Sequence, residues 1–410
     1  MRNIIMITML FMFMISFPLR GQDKLEPYLL MAAENNPGLQ AGFNEYMAAL
    51  EEVPQAGALP DPQLMFSYFI SPVETRMGPQ QLRLSLSQFF PWFGTLGARE
   101  DAATQTAKAR YEDFLEEKSR LFSDVKKVYY ELYIYRKSID ITEENIDLLA
   151  AIRDLVGMKV QTGQVSRVDE YRVEMEINEL YDQLALLRDN YMVLELDFRN
   201  MLNAGGQFSI DLPHEMWDSD FPLSREAALD SVISTNHKLL RLEFKQAELS
   251  YKKESARLAG RPGFNIGIDY ALIGKGDNNL PGRDAFIFPV VGISIPLYRN
   301  KYKAMVRQAA FLEQANLSRS ENMINSLETL FETTWTEYQD AHRRIRLNEE
   351  QSELAMKALK LLEAEYAGSG ADLEEILRME RKLLKYRLEF EKARADKQAA
   401  IAFLNYLMGK

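Results

Sequence analysis

Two stretches of this chain contain no proline, residues 92–212 and residues 297–410. Along each, apolar residues return every three or four positions. Leu121, Val125, Val128, Leu132, Tyr135 and Ile139 form one series; Ile324, Leu327, Phe331, Thr334, Tyr338, Ala341 and Ile345 form another. A seam that alternates steps of three and four marks helices packed side by side with coiled-coil geometry. Glu, Lys, Gln and Arg fill many of the other positions, as solvated helix faces require. Each stretch has one strong break, at Gly157 to Gly163 and at Gly368-Ser369-Gly370. Each is therefore expected to be a helical hairpin with a longer and a shorter arm. The longer arms hold roughly 65 residues and reach on the order of 90–100 Å at 1.5 Å per residue. Ordinary globular helices average about 11–12 residues, so arms this long suit a bridge across space better than a compact core.

The two stretches belong to a duplication, which must be found before domains are parsed. Landmarks recur in the same order, a little over two hundred residues apart. Asn35-Asn36-Pro37-Gly38-Leu39 answers Thr235-Asn236-His237-Lys238-Leu239, and Pro60-Asp61-Pro62 answers Arg261-Pro262-Gly263. Pro91 answers Pro296, Thr162-Gly163 answers Gly368-Ser369-Gly370, and Met201-Leu202-Asn203 answers Leu407-Met408-Gly409. The expected organisation is a leader over residues 1–21, a first repeat over 22–206 and a second over 207–410. The leader reading rests on Arg2, the apolar run from Ile4 to Phe17 and the small residue Gly21, the three-part layout of a secretory signal peptide.

Ahead of each long stretch, the sequence alternates with a period of two, the mark of strands with one apolar face. The expected strands are 63–70, 82–89, 264–272 and 287–295. Leu64, Phe66, Tyr68 and Ile70 share a face, and so do Ile266, Ile268, Tyr270 and Leu272. Ser71 to Gln81 and Ile273 to Ala285 read as the connecting loops. Pro289 weakens the last strand near its start. The strands approach the roughly 9–11 residues that cross a bilayer. Aromatics gather at their ends, Phe89, Phe90, Trp92 and Phe93 in one repeat and Phe286, Phe288 and Tyr298 in the other, as an interfacial girdle requires. Four strands cannot close a barrel, and open edges are not tolerated in lipid. If these hairpins span a membrane, several copies must share one barrel.

Composition narrows the chemistry. The chain of 410 residues has no cysteine and three histidines, His214, His237 and His342, far apart in sequence. Disulfides, thiolate metal sites and thiol nucleophiles are excluded, and a histidine-based centre is disfavoured. The net charge is −11, which argues against nucleic acid as a partner. There is no Gly-rich phosphate loop, zinc-protease helix motif or nucleophile elbow, so neither an enzyme nor a cofactor is expected. Of 19 methionines, five lie in the leader. The remaining 14 could point to copper or silver export, although methionine also fills helical cores.

Taken together, the Asn36-Pro37-Gly38-Leu39 stretch, Pro60-Asp61-Pro62, Pro91 followed by Gly94-Thr95-Leu96-Gly97, and the tip segments Val160-Gln161-Thr162-Gly163 and Tyr366-Ala367-Gly368-Ser369 resemble the outer-membrane efflux channel family, the TolC-like proteins. The likeness covers nearly all of the chain after the leader. It implies a mostly helical fold with a small transmembrane β part. The duplicated hairpins would form a periplasmic α-barrel, and four strands per subunit would enter a shared 12-stranded barrel in the outer membrane. It implies a homotrimer in outer-membrane lipid that meets a periplasmic adaptor and an inner-membrane transporter. The trimer would be the passive exit duct of a tripartite efflux or type I secretion system. The alternative is a periplasmic adaptor or structural coiled-coil protein of the cell envelope, against which the duplicated hairpin and alternating strands speak. The chain departs from relatives that carry a lipidated N-terminal cysteine, and its equatorial decoration is expected to be confined to Gly205 to Leu223.

In this family an acidic residue six positions after the tip glycine lies near the periplasmic constriction. The resemblance thus nominates Asp169, six after Gly163, and Glu375, six after Ser369 of the second tip, as gate residues, with Glu170, Asp372 and Glu374 as neighbours. Threefold rings of carboxylates favour cations and repel anions, whereas acids in a first helical turn also have a plain capping role. Gly163, Ser369 and Gly370 at the hairpin tips are the expected adaptor contacts.

Overall fold

The computed structural model describes residues 24–205, 208–275, 282–368 and 372–410. The leader, Ser369 and Gly370 lie outside them. In chain order the elements are α1 (Glu26–Asn35), α2 (Pro37–Gly57), β1 (Gln63–Thr75), β2 (Gly78–Phe90), α3 (Thr95–Gln161) and α4 (Arg167–Met201). Then come α5 (Arg225–Thr235), α6 (His237–Ala259), β3 (Gly263–Ile273), β4 (Ala285–Ser294), α7 (Arg299–Gly368) and α8 (Leu373–Leu407). The order of two helices, two strands and two helices thus occurs twice. The long arms α3 and α7 hold 67 and 70 residues.

The recurring landmarks carry the same local conformation. Asn36 and Asn236 are both extended, with φ −67°, ψ 120° and φ −66°, ψ 124°. Their side chains accept from Leu39 N and Lys238 N at 3.1 and 3.0 Å, capping α2 and α6 as short polar side chains do. Asn203 and Gly409 both turn left-handed, with φ 47° and 71°. Each closes its helix by the same pair of bonds. Ala204 N donates to Arg199 O and Asn203 N to Asn200 O, while Lys410 N donates to Asn405 O and Gly409 N to Tyr406 O. This is the Schellman closure, which needs a residue that accepts positive φ.

The chain forms two compact units, and each draws on both repeats. One takes residues up to Gln40, Glu117–Ser234 and Leu327–Lys410; the other takes Ala41–Glu116 and Thr235–Ser326. In the first unit the hairpin α3–α4 packs on the hairpin α7–α8. Ile146, Leu149, Val173 and Ile177 meet Leu359, Leu373, Ile376 and Leu377 in one core. The expected seams face inward: Val125, Val128, Leu132 and Ile139 are buried, as are Leu327, Phe331, Thr334 and Ala341.

The second unit holds one antiparallel sheet of order β1-β2-β3-β4. Its middle pair, β2 with β3, joins the two repeats. The strands run longer than the alternation suggested. Residues 71–75 and 78–81 belong to strands, so Ser71 to Gln81 is not a loop; the turn is Arg76-Met77. Pro72 is tolerated because β1 is an edge strand, where a missing N–H breaks no ladder within the protomer. The register also shifts there, between Tyr68 and Val73. Gly78 closes the turn at φ 127°. Pro289 sits at a second irregularity, between the pairs Gly267↔Val290 and Asp269↔Ile287. A third difference lies at the first tip. Gly157 stays inside α3, and the chain turns only after Gln161.

Candidate functional site

Two places in the molecule bear on function, the faces of the sheet and the hairpin tips. The strand register sorts side chains onto opposite faces. Phe66, Leu84, Tyr270 and Phe286 form one row across all four strands; Leu64, Leu86 and Ile268 form another across three. This apolar face lies bare, with Leu64 73% and Ile70 92% exposed. The opposite face carries Met65, Ser85, Asp269 and Ile287 in one row and Ser67, Arg83, Ala271 and Ala285 in the next. Arg83 donates to Asp269 across β2 and β3, and Asp269 is buried. Apolar side chains outside and an ion pair inside invert the soluble pattern and match a strand that has lipid on one side and a lumen on the other. The expected aromatics end the sheet. Trp92 and Phe93 gather on Phe264 with ring centroids 5.9 and 6.0 Å apart.

At the first tip, α3 closes by the Schellman pair Gln164 N to Lys159 O and Gly163 N to Val160 O, with Gly163 at φ +69°. Ser166 caps α4, its hydroxyl accepting from Val168 N at 3.2 Å. At the second tip Asp372 caps α8, accepting from Glu374 N at 3.1 Å. The five nominated acids divide by partner. Asp169 lies 3.4 Å from Arg172, Glu170 3.7 Å from Arg167, Glu375 3.0 Å from Arg378 and Glu374 3.6 Å from Arg381. Asp169 is the most sheltered of these and Glu375 is half exposed. Asp169 and Asp372, from different hairpins, converge on Tyr366. Burial first, and then these two carboxylates, hold the Tyr366 phenol above its ordinary pKa.

Other groups at this end were not singled out from sequence. The Lys159 ammonium lies 4.4 Å from the centre of the Tyr366 ring and donates to the Tyr366 carbonyl, tying one hairpin to the other. Two ion pairs reinforce the tie, Arg381 to Glu176 at 2.5 Å and Arg387 to Glu144 at 2.6 Å. Deeper in, Glu380 is 2% exposed. Asn145 donates to one of its oxygens at 2.6 Å, and the other has no hydrogen-bond partner. Burial, and less strongly Glu363, raises its pKa, while the Asn145 bond and Arg387 lower it less than burial raises it. A signal for Glu380 does exist in the sequence. It is the one acid in the inward series Leu373, Ile376, Leu377, Glu380, Leu383, Leu384.

The segment between the repeats is also anchored. Lys397 of α8 is buried and donates to Asp218 at 2.6 Å and Asp220 at 2.7 Å. Burial alone would lower the Lys397 pKa, but the two carboxylates outweigh it and hold the group above its ordinary value. Tyr133 donates to Glu391 at 2.6 Å and accepts from Met216 N at 3.0 Å. Among the described residues no group of His, Asp and Glu could hold a metal ion, and no helix is long and apolar enough to cross a membrane.

A sheet bare and apolar on one face, with an ion pair on the other, in a chain of duplicated helical hairpins, matches the strand pattern of a membrane β-barrel. The comparisons with known proteins agree. Residues 29–204 match the outer membrane efflux protein family. In fold the chain is similar to the outer membrane protein VceC of Vibrio cholerae, with 16% identity, 94% of this chain covering 97% of that one and a TM-score of 0.78. It is similar to CusC, with 16% identity, coverage of 97% and 95% and a TM-score of 0.79. The MtrE outer membrane channel of Neisseria gonorrhoeae, in its open state, gives 16% identity, coverage of 94% and 89% and a TM-score of 0.77. No curated protein matches it in sequence. The family match lies in the first repeat, and the fold match extends over both. The fold is that of an outer-membrane efflux channel, and residues 29–204 carry that family's sequence.

Proposed function

We propose that three copies of this chain form the exit duct of a tripartite efflux or type I secretion assembly. One observation carries the reading: the sheet ends in two open edges, β1 and β4, while its outward face is apolar. Unpaired edge groups in lipid cost several kcal/mol each, so the edges must be closed by other copies. Three protomers of four strands make twelve, a number within the range of known barrels. The first repeat is then residues 22–206 and the second 207–410, after a leader of 21 residues. The sheet sits in the outer membrane and the hairpins reach into the periplasm. Cargo arrives from an inner-membrane transporter through an adaptor that docks on the tips around Gly163, Ser369 and Gly370. Asp169 and Glu375 ring the narrow end, with Glu170, Asp372 and Glu374 beside them. In this reading Lys159–Tyr366, Arg381–Glu176 and Arg387–Glu144 hold the hairpins of one protomer together, so each pair moves as a piece when the end opens. The adaptor alternative is not favoured, since it leaves a four-stranded sheet with a bare apolar face unexplained.

The test is membrane fractionation with gel migration before and after boiling. An outer-membrane species that migrates as a trimer unboiled and as a monomer after boiling supports the assembly. A water-soluble monomer that needs no detergent refutes it.

A further inference from the structure

Where β3 begins and β4 ends, the second unit has a cavity of about 630 Å³. Five cationic side chains line it: Arg257 and Arg261 around the end of α6, and Arg299, Lys303 and Arg307 on the first turns of α7. Arg257 is held by Glu254 at 2.5 Å. No ion pair or side-chain hydrogen bond engages Arg261, Arg299, Lys303 or Arg307 among the described residues, and all four are exposed. Ile295, Pro296 and Val306 supply an apolar wall. Just outside it Leu297 and Tyr298 are bare, Tyr298 at 84%.

Nothing in the fold asks for this charge. At the matching junction of the first repeat, residues 92–102 carry one basic and two acidic residues; residues 297–307 carry four basic and none acidic. The whole chain is acidic, at −11, so the cluster runs against its composition. It also runs against the helix, whose amino end repels cations. Self-repulsion of several bare cations around one concavity is relieved by a bound anion, and guanidinium groups suit phosphate in particular.

We propose that this cavity binds the phosphate headgroup of an anionic glycerophospholipid in the periplasmic leaflet. The proposal rests on the outer-membrane reading above. That reading puts the helix-proximal end of the sheet at the headgroup level, with the bare apolar face directly beside the cavity. A free anion would use the cations alone. A lipid uses the cations, the apolar wall and the adjoining face together, as basic pockets beside membrane-spanning elements do for acidic lipids.

The experiment uses the full chain purified in detergent and exposed to mixed micelles of phosphatidylglycerol and phosphatidylcholine. Bound lipid is counted by native mass spectrometry. The expected result is enrichment of phosphatidylglycerol by about fivefold or more. The variant Arg299→Ala/Lys303→Ala/Arg307→Ala loses it, and Lys360→Ala/Lys382→Ala/Lys385→Ala, with the same loss of charge elsewhere on α7 and α8, keeps it. Lys303→Gln/Arg307→Gln, confined to exposed positions of one helix, repeats the test with less demand on folding and is expected to reduce enrichment at least about twofold. Equal enrichment in the cavity variants and the control overturns the proposal. So does displacement of the lipid by inorganic phosphate alone, which assigns the site to a free anion. Gel migration before and after boiling separates the two layers of the argument. A heat-modifiable trimer without lipid preference overturns this site and leaves the channel standing, whereas a detergent-free monomer overturns both.

Discussion

Replacing Glu380 by Gln should strengthen the packing between the hairpins at neutral pH. The carboxyl lies in the apolar stripe of α8 with one oxygen bonded to Asn145 at 2.6 Å and the other with no partner. The charged groups that act on it are Glu363 on α7, which repels it, and Arg387 on its own helix, which is already engaged by Glu144 at 2.6 Å. A buried polar atom left unpaired costs about 1–3 kcal/mol, more when it is charged. Gln keeps the shape and the oxygen that Asn145 needs but sets an unpaired amide where the second oxygen stood, so what returns is the added penalty of the charge alone, about 1–2 kcal/mol.

The sign with pH follows from the direction of the shift. The folded pKa is raised above the ordinary 4.5, so the folded state holds the proton more tightly than the unfolded. The associated stability is fully present below the ordinary value and is lost as pH rises through the folded one. Hydrogen exchange of the amides from Ile376 to Leu384 reads the local opening directly. At pH 7 the Gln variant should exchange about tenfold more slowly than the parent, the equivalent of about 1.4 kcal/mol. At pH 4 the two should coincide. Faster exchange in the Gln variant at pH 7 would show that the carboxylate stabilises the interface, and the argument from burial would be wrong. A gap that persists unchanged at pH 4 would refute the assignment to ionisation.

Other outcomes follow from the same geometry. Replacing Asp169 and Glu375 together by Ala should raise single-channel conductance and lower cation selectivity in planar bilayers; unchanged conductance removes both from the gate. Gly163→Ala places a Cβ on a residue at φ +69° with open space around it, so its cost is backbone strain alone, about 1–2 kcal/mol, visible as faster proteolysis at the first tip with the trimer intact. Phe66→Arg puts a charge on the bare face and should cost about 2–4 kcal/mol if it lies near the bilayer centre, measured as loss of the heat-modifiable trimer, while Ser85→Thr on the opposite face should leave it unchanged. Lys397→Met leaves Asp218 and Asp220, both exposed, to water; losing two charge-assisted bonds should free the Asp218–Asp220 segment for cleavage without dissociating α3 from α8.

Much of this architecture was readable because it is periodic. A seam of threes and fours needs only the sequence, and Val125, Leu132, Leu327 and Phe331 are buried as that seam requires. The duplication was readable because the same backbone problem recurs: Asn36 and Asn236 cap equivalent helices, and Asn203 and Gly409 both absorb a positive φ. What escaped was set by tertiary surroundings. Ser71 to Gln81 reads as a loop, yet at an edge with a shifted register the strand continues to Thr75. Gly157 reads as a break, yet the hairpin packing carries the helix through it. Lys159 and Tyr366 are 207 residues apart, and no local pattern pairs them.

The acids at the tips show why a site in a channel is harder to read than its fold. Asp169, Glu170, Glu374 and Glu375 each have a cation within 4 Å, and Asp372 has a cap to make. Within one protomer, their local roles are already filled. In the proposed trimer, however, a gate would belong to three copies around an axis, where equivalent carboxylates would approach each other and helix-internal partners such as Arg172 and Arg378 would decide how much charge remains. That makes the arginines as informative as the acids. If the ring sets selectivity, Arg172→Gln and Arg378→Gln should each unmask a carboxylate and increase cation preference, the opposite of removing Asp169 and Glu375. If these residues only start helices, both arginine variants should leave selectivity where it was. Opposite signs from acid and arginine variants are the one pattern that helix capping alone cannot produce.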